Sequence, residues 1–226
     1  MHKLFDFTAT TDFEPDSVAF DNAVGNPVAT LIFAHGAGAD KDSVFIRSVI
    51  EQLNQGGMQV LSFNFPYMQQ RKLDGKRRPP NRMPILQQHF KAMIDAYQDN
   101  IPLLIGGKSM GSRVAMTLIE SSNVVAGFCF GYPFHPQNKP EKLRLEPLQQ
   151  QDKPVLILQG QRDALGNEAE IESYHLTDNI EVKFYVDGDH DLKPRLKSGF
   201  RHQQHIDQSC QDLLTFISQV TKKEEG

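Results

Sequence analysis

The sequence predicts an α/β fold, a mostly parallel central sheet with helices on both faces. Three observations point there. Apolar runs of strand length recur along the chain, separated by segments with helical spacing. Several of the runs, 28–34 and 124–130 among them, are close to continuously hydrophobic, as strands buried on both faces must be. Glycines and reactive side chains gather just after several runs, where parallel sheets place their functional loops.

Taken in order, residues 4–8 and 18–20 read as edge strands. Residues 28–34 read as a buried strand, followed by His35-Gly36-Ala37-Gly38 and a helix over 42–55 that Gly56-Gly57 stops. A strand over 59–65 and a helix over 82–98 come next. A strand over 101–105, a helix opening at Ser112 and a strand over 124–130 follow. Two further strands, 155–159 and 181–186, flank a helix over 168–173. The closing helix, 200–220, carries Ile206, Leu213, Leu214, Ile217 and Val220 at helical spacing. The stretch between 130 and 155 is too short, and too rich in proline, glutamine and charge, for a substantial lid domain. One domain over residues 1–226 is the expectation.

With 39% hydrophobic and 23% charged residues, the composition is that of an ordinary globular chain. The net charge of -4 argues against a nucleic-acid partner. Residues 1–11 hold no apolar core of signal-peptide length, and no run is long enough to span a membrane. Two cysteines cannot build a disulfide framework, and Cys129 lies in an apolar run that suits a buried thiol. A reducing cytoplasm is the expected setting.

The chemistry centres on Gly107-Lys108-Ser109-Met110-Gly111, between an apolar run and a helical pattern. Strand, sharp turn and helix with serine at the apex is the arrangement that projects a nucleophilic hydroxyl, and glycines on either side relieve its crowding. The same residues include Gly-Lys-Ser, the end of a phosphate-binding loop. That loop needs a glycine where Pro102 stands, and proline has no N–H to give a phosphate.

A serine needs a base, and the base needs an acid that sets its tautomer. Asp163 lies just beyond one predicted strand and His190 just beyond the last, so Ser109, Asp163 and His190 follow in the chain order of a nucleophile, acid and base. Asp187, Asp189 and Asp191 sit too close to His190 in sequence to reach round its ring. His175 is a weaker base, and His202 with His205 could share a helix face toward a metal but lack a third ligand. The expected oxyanion donors are the N–H groups of Met110 and Ala37, with His35 positioning the loop by a hydrogen bond.

These motifs resemble the α/β-hydrolase superfamily from residue 28 onward. Phe33-Ala34-His35-Gly36-Ala37-Gly38, Phe63-Asn64-Phe65-Pro66-Tyr67-Met68 and Gly106-Gly107-Lys108-Ser109-Met110-Gly111-Ser112-Arg113 carry the likeness. Gln159-Gly160-Gln161-Arg162-Asp163 and Gly188-Asp189-His190 complete it. More narrowly, the chain is similar to the uncapped, dienelactone-hydrolase-related group that includes testis-expressed and KAT8-complex hydrolase-like proteins. The resemblance implies an α/β-hydrolase fold without a lid, Ser109 as nucleophile, Asp163 as acid and His190 as base.

The segment 66–84 carries six basic residues, Arg71, Lys72, Lys76, Arg77, Arg78 and Arg82, against Asp74. Either Arg77 and Arg78 receive a carboxylate or phosphate of the substrate, or the segment is a solvated loop stiffened by Pro79, Pro80 and Pro84. Arg113 is expected to pair internally behind the serine. The sequence therefore predicts a serine hydrolase of esters or related acyl bonds, working on a small, in one reading anionic, acyl substrate without metal or organic cofactor. A catalytically silent interaction module on the same fold is the alternative.

Overall fold

The computed structural model describes residues 4–7, 15–149 and 151–222. In chain order it runs β1 (Val18–Asp21), β2 (Ala29–Ala34), α1 (Val44–Gln55), β3 (Met58–Phe63), α2 (Pro66–Asp74), α3 (Met83–Asp95), β4 (Leu103–Lys108) and α4 (Met110–Met116). It continues through β5 (Val124–Phe130), α5 (Glu146–Gln149), β6 (Val155–Gly160), α6 (Glu168–Glu172), β7 (Ile180–Tyr185) and α7 (His202–Lys222). The seven strands form one sheet in the order β1-β3-β2-β4-β5-β6-β7. All neighbours pair parallel except β1, which runs antiparallel along β3.

Each sheet face has its own core. On one, α1 contributes Ile46, Val49, Ile50 and Leu53, and α7 contributes Leu213, Ile217 and their neighbours. On the other, α3, α4, α5 and α6 pack Phe90, Val114, Leu148 and Ile171 against Ile32, Ile105 and Ile157. Full burial of each such side chain contributes about 1.5–3 kcal/mol. Residues 131–154 hold only the single turn of α5, so no inserted domain covers the carboxyl edge of the sheet. No helix among the described residues is long and apolar enough to cross a membrane.

Several boundaries differ from the sequence reading for local reasons. The strand expected over 101–105 lies at Leu103–Lys108 because Gly106 and Gly107 belong to the ladder. A Cβ at Gly106 would sit 2.1 Å from the carbonyl oxygen of Phe128, so only glycine allows the strands to meet there. The strand expected to reach residue 65 stops at Phe63, since the Phe65 N–H turns to the His35 ring and Pro66 has none. Of the expected strand 4–8, Thr8 lies outside the described residues, and the remainder makes only one antiparallel bridge, Phe5 to Tyr97.

The basic segment is not a loop throughout. Residues 66–74 form α2, opened by Pro66 in its first turn and closed by Gly75 in the left-handed conformation (φ 71°). Only residues 75–82 remain irregular before α3.

Candidate active site

Parallel pairing places the loops after β2, β4, β6 and β7 on one edge of the sheet. Ser109 follows β4 directly and caps α4 with φ 54° and ψ -114°, a conformation that costs a non-glycine residue about 1–3 kcal/mol. Its surroundings hold it there. A Cβ at Gly107 would lie 2.2 Å from the Ala34 carbonyl oxygen, and one at Gly111 would lie 2.4 Å from the same atom. Larger residues at either position would push the turn off β2.

The serine hydroxyl lies 2.7 Å from His190 Nε2, and His190 Nδ1 lies 2.7 Å from Asp163 Oδ2. A carboxylate accepts, so Nδ1 carries the ring proton and Nε2 is left to accept from Ser109 Oγ. Asp163 is fully buried, yet its carboxylate also receives the Gln159 side-chain amide at 2.9 Å and the Leu165 N–H at 2.8 Å. Three donors keep a buried negative charge tenable.

The neighbouring acids are engaged elsewhere. Asp187 is bonded to Arg195, Asp189 caps its own loop through the N–H groups of Asp191 and Lys193, and Asp191 pairs with Lys108 at 3.1 Å. His175 is exposed, and among the described residues it makes no hydrogen bond to this group.

Sequence reasoning missed how the His190 loop is held. Three successive carbonyls each accept a side-chain donor: His190 from Lys108 Nζ at 2.6 Å, Asp191 from His202 Nε2 at 2.8 Å and Leu192 from His205 Nδ1 at 2.8 Å. Burial lowers the pKa of Lys108, with Asp191 opposing the shift. The helical spacing of His202 and His205 was a visible signal, but it serves the loop. Among the described residues no group of three or more His, Cys, Asp or Glu side chains is arranged to hold a metal ion.

The loop 35–38 is fixed from beneath. His35 is fully buried; its Nε2 accepts the Phe65 N–H at 3.0 Å, so Nδ1 donates to the Gly36 carbonyl at 2.6 Å. Burial outweighs that hydrogen bond and lowers the His35 pKa to about 4, which keeps the ring neutral. Tyr67 Oη donates to the Ala37 carbonyl at 3.0 Å. With the carbonyls of this loop held, the Ala37 N–H is free, and so is that of Met110. Among the described residues neither donates to a protein acceptor.

Ala37, Ser109 and Met110 open onto one cavity of about 390 Å³. Arg77 and Arg78 do not line it: Arg77 is exposed, and Arg78 forms a two-pronged pair with Asp74 at 2.6 and 2.8 Å. The cations that do line it are Arg113 and Arg144. Arg113 has no ion pair among the described residues, in contrast to the expected internal pairing.

A family model described as an alpha/beta hydrolase domain matches residues 27–218. No curated protein matches the sequence. Among solved structures, Est1E from Butyrivibrio proteoclasticus with ferulic acid bound superposes with a TM-score of 0.65 at 16% identity, covering 90% of this chain and 94% of that one. A dienelactone hydrolase from Anabaena variabilis gives 0.63 at 19% identity, covering 86% and 88%. An α/β serine hydrolase without lid from Xanthomonas campestris gives 0.57 at 14% identity, covering 91% and 88%.

Proposed function

The chain belongs to the alpha/beta hydrolase domain family, and we propose that it is a serine hydrolase that cleaves an ester or related acyl bond through an acyl-enzyme. The observation that carries this reading is the unbroken hydrogen-bonded series from Ser109 Oγ through the His190 ring to the buried Asp163 carboxylate. Hydrolases and esterases among the structural relatives support the same class.

In this reading Ser109 Oγ attacks the acyl carbon while His190 Nε2 takes its proton. Asp163 holds the imidazole in the required tautomer and stabilises the imidazolium. The carbonyl oxygen becomes an oxyanion facing the N–H groups of Met110 and Ala37, which need no reorganisation because no acceptor among the described residues occupies them. The tetrahedral intermediate collapses as His190 returns the proton to the leaving group. Water, deprotonated by His190, then attacks the acyl-enzyme and releases the acid and Ser109. Each proton transfer uses the one ring nitrogen that faces the serine.

With no domain over residues 131–154, a small acyl substrate reaches Ser109 from solvent past loops alone. Carboxylesters and thioesters both satisfy this geometry. The motifs at Ser109 and His35 support a position, within the family, beside the uncapped dienelactone-hydrolase-related group. The two free cysteines, Cys129 and Cys210, are buried and suit a reducing cytoplasm.

A fluorophosphonate probe with intact-mass detection tests the reading on wild type and Ser109→Ala in parallel. One adduct on wild type and none on the variant is expected. A folded wild type that takes no adduct would leave Ser109 unactivated and return the chain to the silent-module alternative.

A further inference from the structure

We infer that Arg113 and Arg144 form a receptor for an oxyanion carried by the substrate, so that the cavity at Ser109 favours esters bearing a carboxylate or phosphate over neutral ones. This rests on the serine-hydrolase reading of the same site.

Both arginines are half-buried and line the Ser109 cavity. Arg113 stands four residues after Ser109, on α4, and its backbone N–H bonds to the Ser109 carbonyl at 3.1 Å. Arg144 approaches from the segment between β5 and α5. Its backbone is pinned twice: the N–H donates to the Phe134 carbonyl at 2.8 Å, and the carbonyl accepts from Tyr132 Oη at 2.9 Å. Among the described residues, the guanidinium beyond that anchor makes a single long hydrogen bond, 3.4 Å to the Pro133 carbonyl.

What is missing is a counter-charge. Neither arginine has a carboxylate within ion-pair distance among the described residues. No aspartate or glutamate among the described residues lines the cavity. The nearby acids have other partners, Asp163 with His190 and Glu170 with His135 and the Asn167 N–H. Burial, and after it the charge of Arg113, lowers the Arg144 pKa, so the two cations act on each other as well as losing solvent.

Two partly desolvated like charges facing one space oppose folding unless something neutralises them. An oxyanion on the ligand would do so, and planar guanidinium forks match the oxygens of a carboxylate or phosphate. Met83, Leu86 and Leu165 supply apolar wall elsewhere in the cavity. The cavity thus joins two guanidinium groups, apolar side chains and the serine in one lining. Arg78, by contrast, already has its carboxylate in Asp74.

The test uses binding that does not depend on turnover. Ser109→Ala protein is titrated calorimetrically with monomethyl glutarate, dimethyl glutarate and inorganic phosphate. At least one of the two anions should bind about tenfold or more tighter than the neutral diester. Adding Arg113→Gln or Arg144→Gln should bring that preference below about twofold, with Arg144→Lys recovering part of it. Whichever anion binds tighter identifies the substrate group as carboxylate or phosphate. Equal affinity for neutral and anionic probes, no binding of either anion, or a preference that survives both glutamine variants would overturn the proposal. Fluorophosphonate labelling of chains that retain Ser109 and carry the glutamine substitutions reports whether the turn is still formed. Absence of labelling in wild type would sink the hydrolase reading while leaving the titration to judge the receptor on its own.

Discussion

The two sides of Ser109 are built on opposite principles. Toward His190, polar groups find partners within the protein: both ring nitrogens of His190, both oxygens of Asp163, and the carbonyls of residues 190, 191 and 192. Toward the cavity, among the described residues, the N–H groups of Ala37 and Met110 have no protein acceptor and the guanidinium groups of Arg113 and Arg144 have no carboxylate. Buried polar groups are almost always satisfied, so a cluster that is not marks the place where a ligand completes the structure. One side is finished by folding and the other by binding.

That contrast can be broken by experiment, beginning with its strongest element. Asp163→Asn should lower kcat by about 10⁴, because an amide no longer enforces the proton on His190 Nδ1. Ligand titration of the same variant should stay close to that of the wild type. If affinity fell as steeply as turnover, the two sides would not be separable.

A smaller effect is expected from Lys108→Met, which removes the support under the His190 carbonyl and leaves Asp191 without its cation. Displacement of the base should lower kcat about 10–100-fold with KM moving little, as steady-state kinetics on a chromogenic ester would read. An unchanged kcat would show that His202 and His205 hold the loop unaided.

The smallest test lies beneath the oxyanion loop. The unfolded His35 imidazole titrates near 6.5 and the folded one near 4, so between those values the unfolded chain binds more protons. Stability therefore falls as pH drops through that window, by roughly 3 kcal/mol for this residue at full effect. Urea melts at pH 7 and pH 4.5 should show a larger loss for wild type than for His35→Gln. Parallel losses would remove His35 as the source.

The buried strands were legible because most are written as apolar runs; Ser109 and Asp163 each stand just past such a run, and His190 just past β7, where Glu181 and Lys183 alternate with apolar residues. The segment over 66–74 was not. Its helix buries only Tyr67 and Met68, so it lacks the apolar stripe by which helices announce themselves. Arg113 was misread for a different reason. A sequence shows where a charge stands along the chain, but not whether an acid from another element reaches it. The same applies to Arg144 and Lys108, whose surroundings are assembled from residues 11 to 82 positions away.

The three carbonyls after His190 also tie the site to the order in which the polypeptide is made. Two of their donors, His202 and His205, belong to α7, the last of these elements to leave the ribosome. A nascent chain ending before it already contains the serine, the acid, the base and both cavity arginines. It lacks two of the three props that hold the base in register until α7 docks through Leu213 and Ile217. On the proposed reading, the support of the base is therefore completed only once α7 has been made and packed.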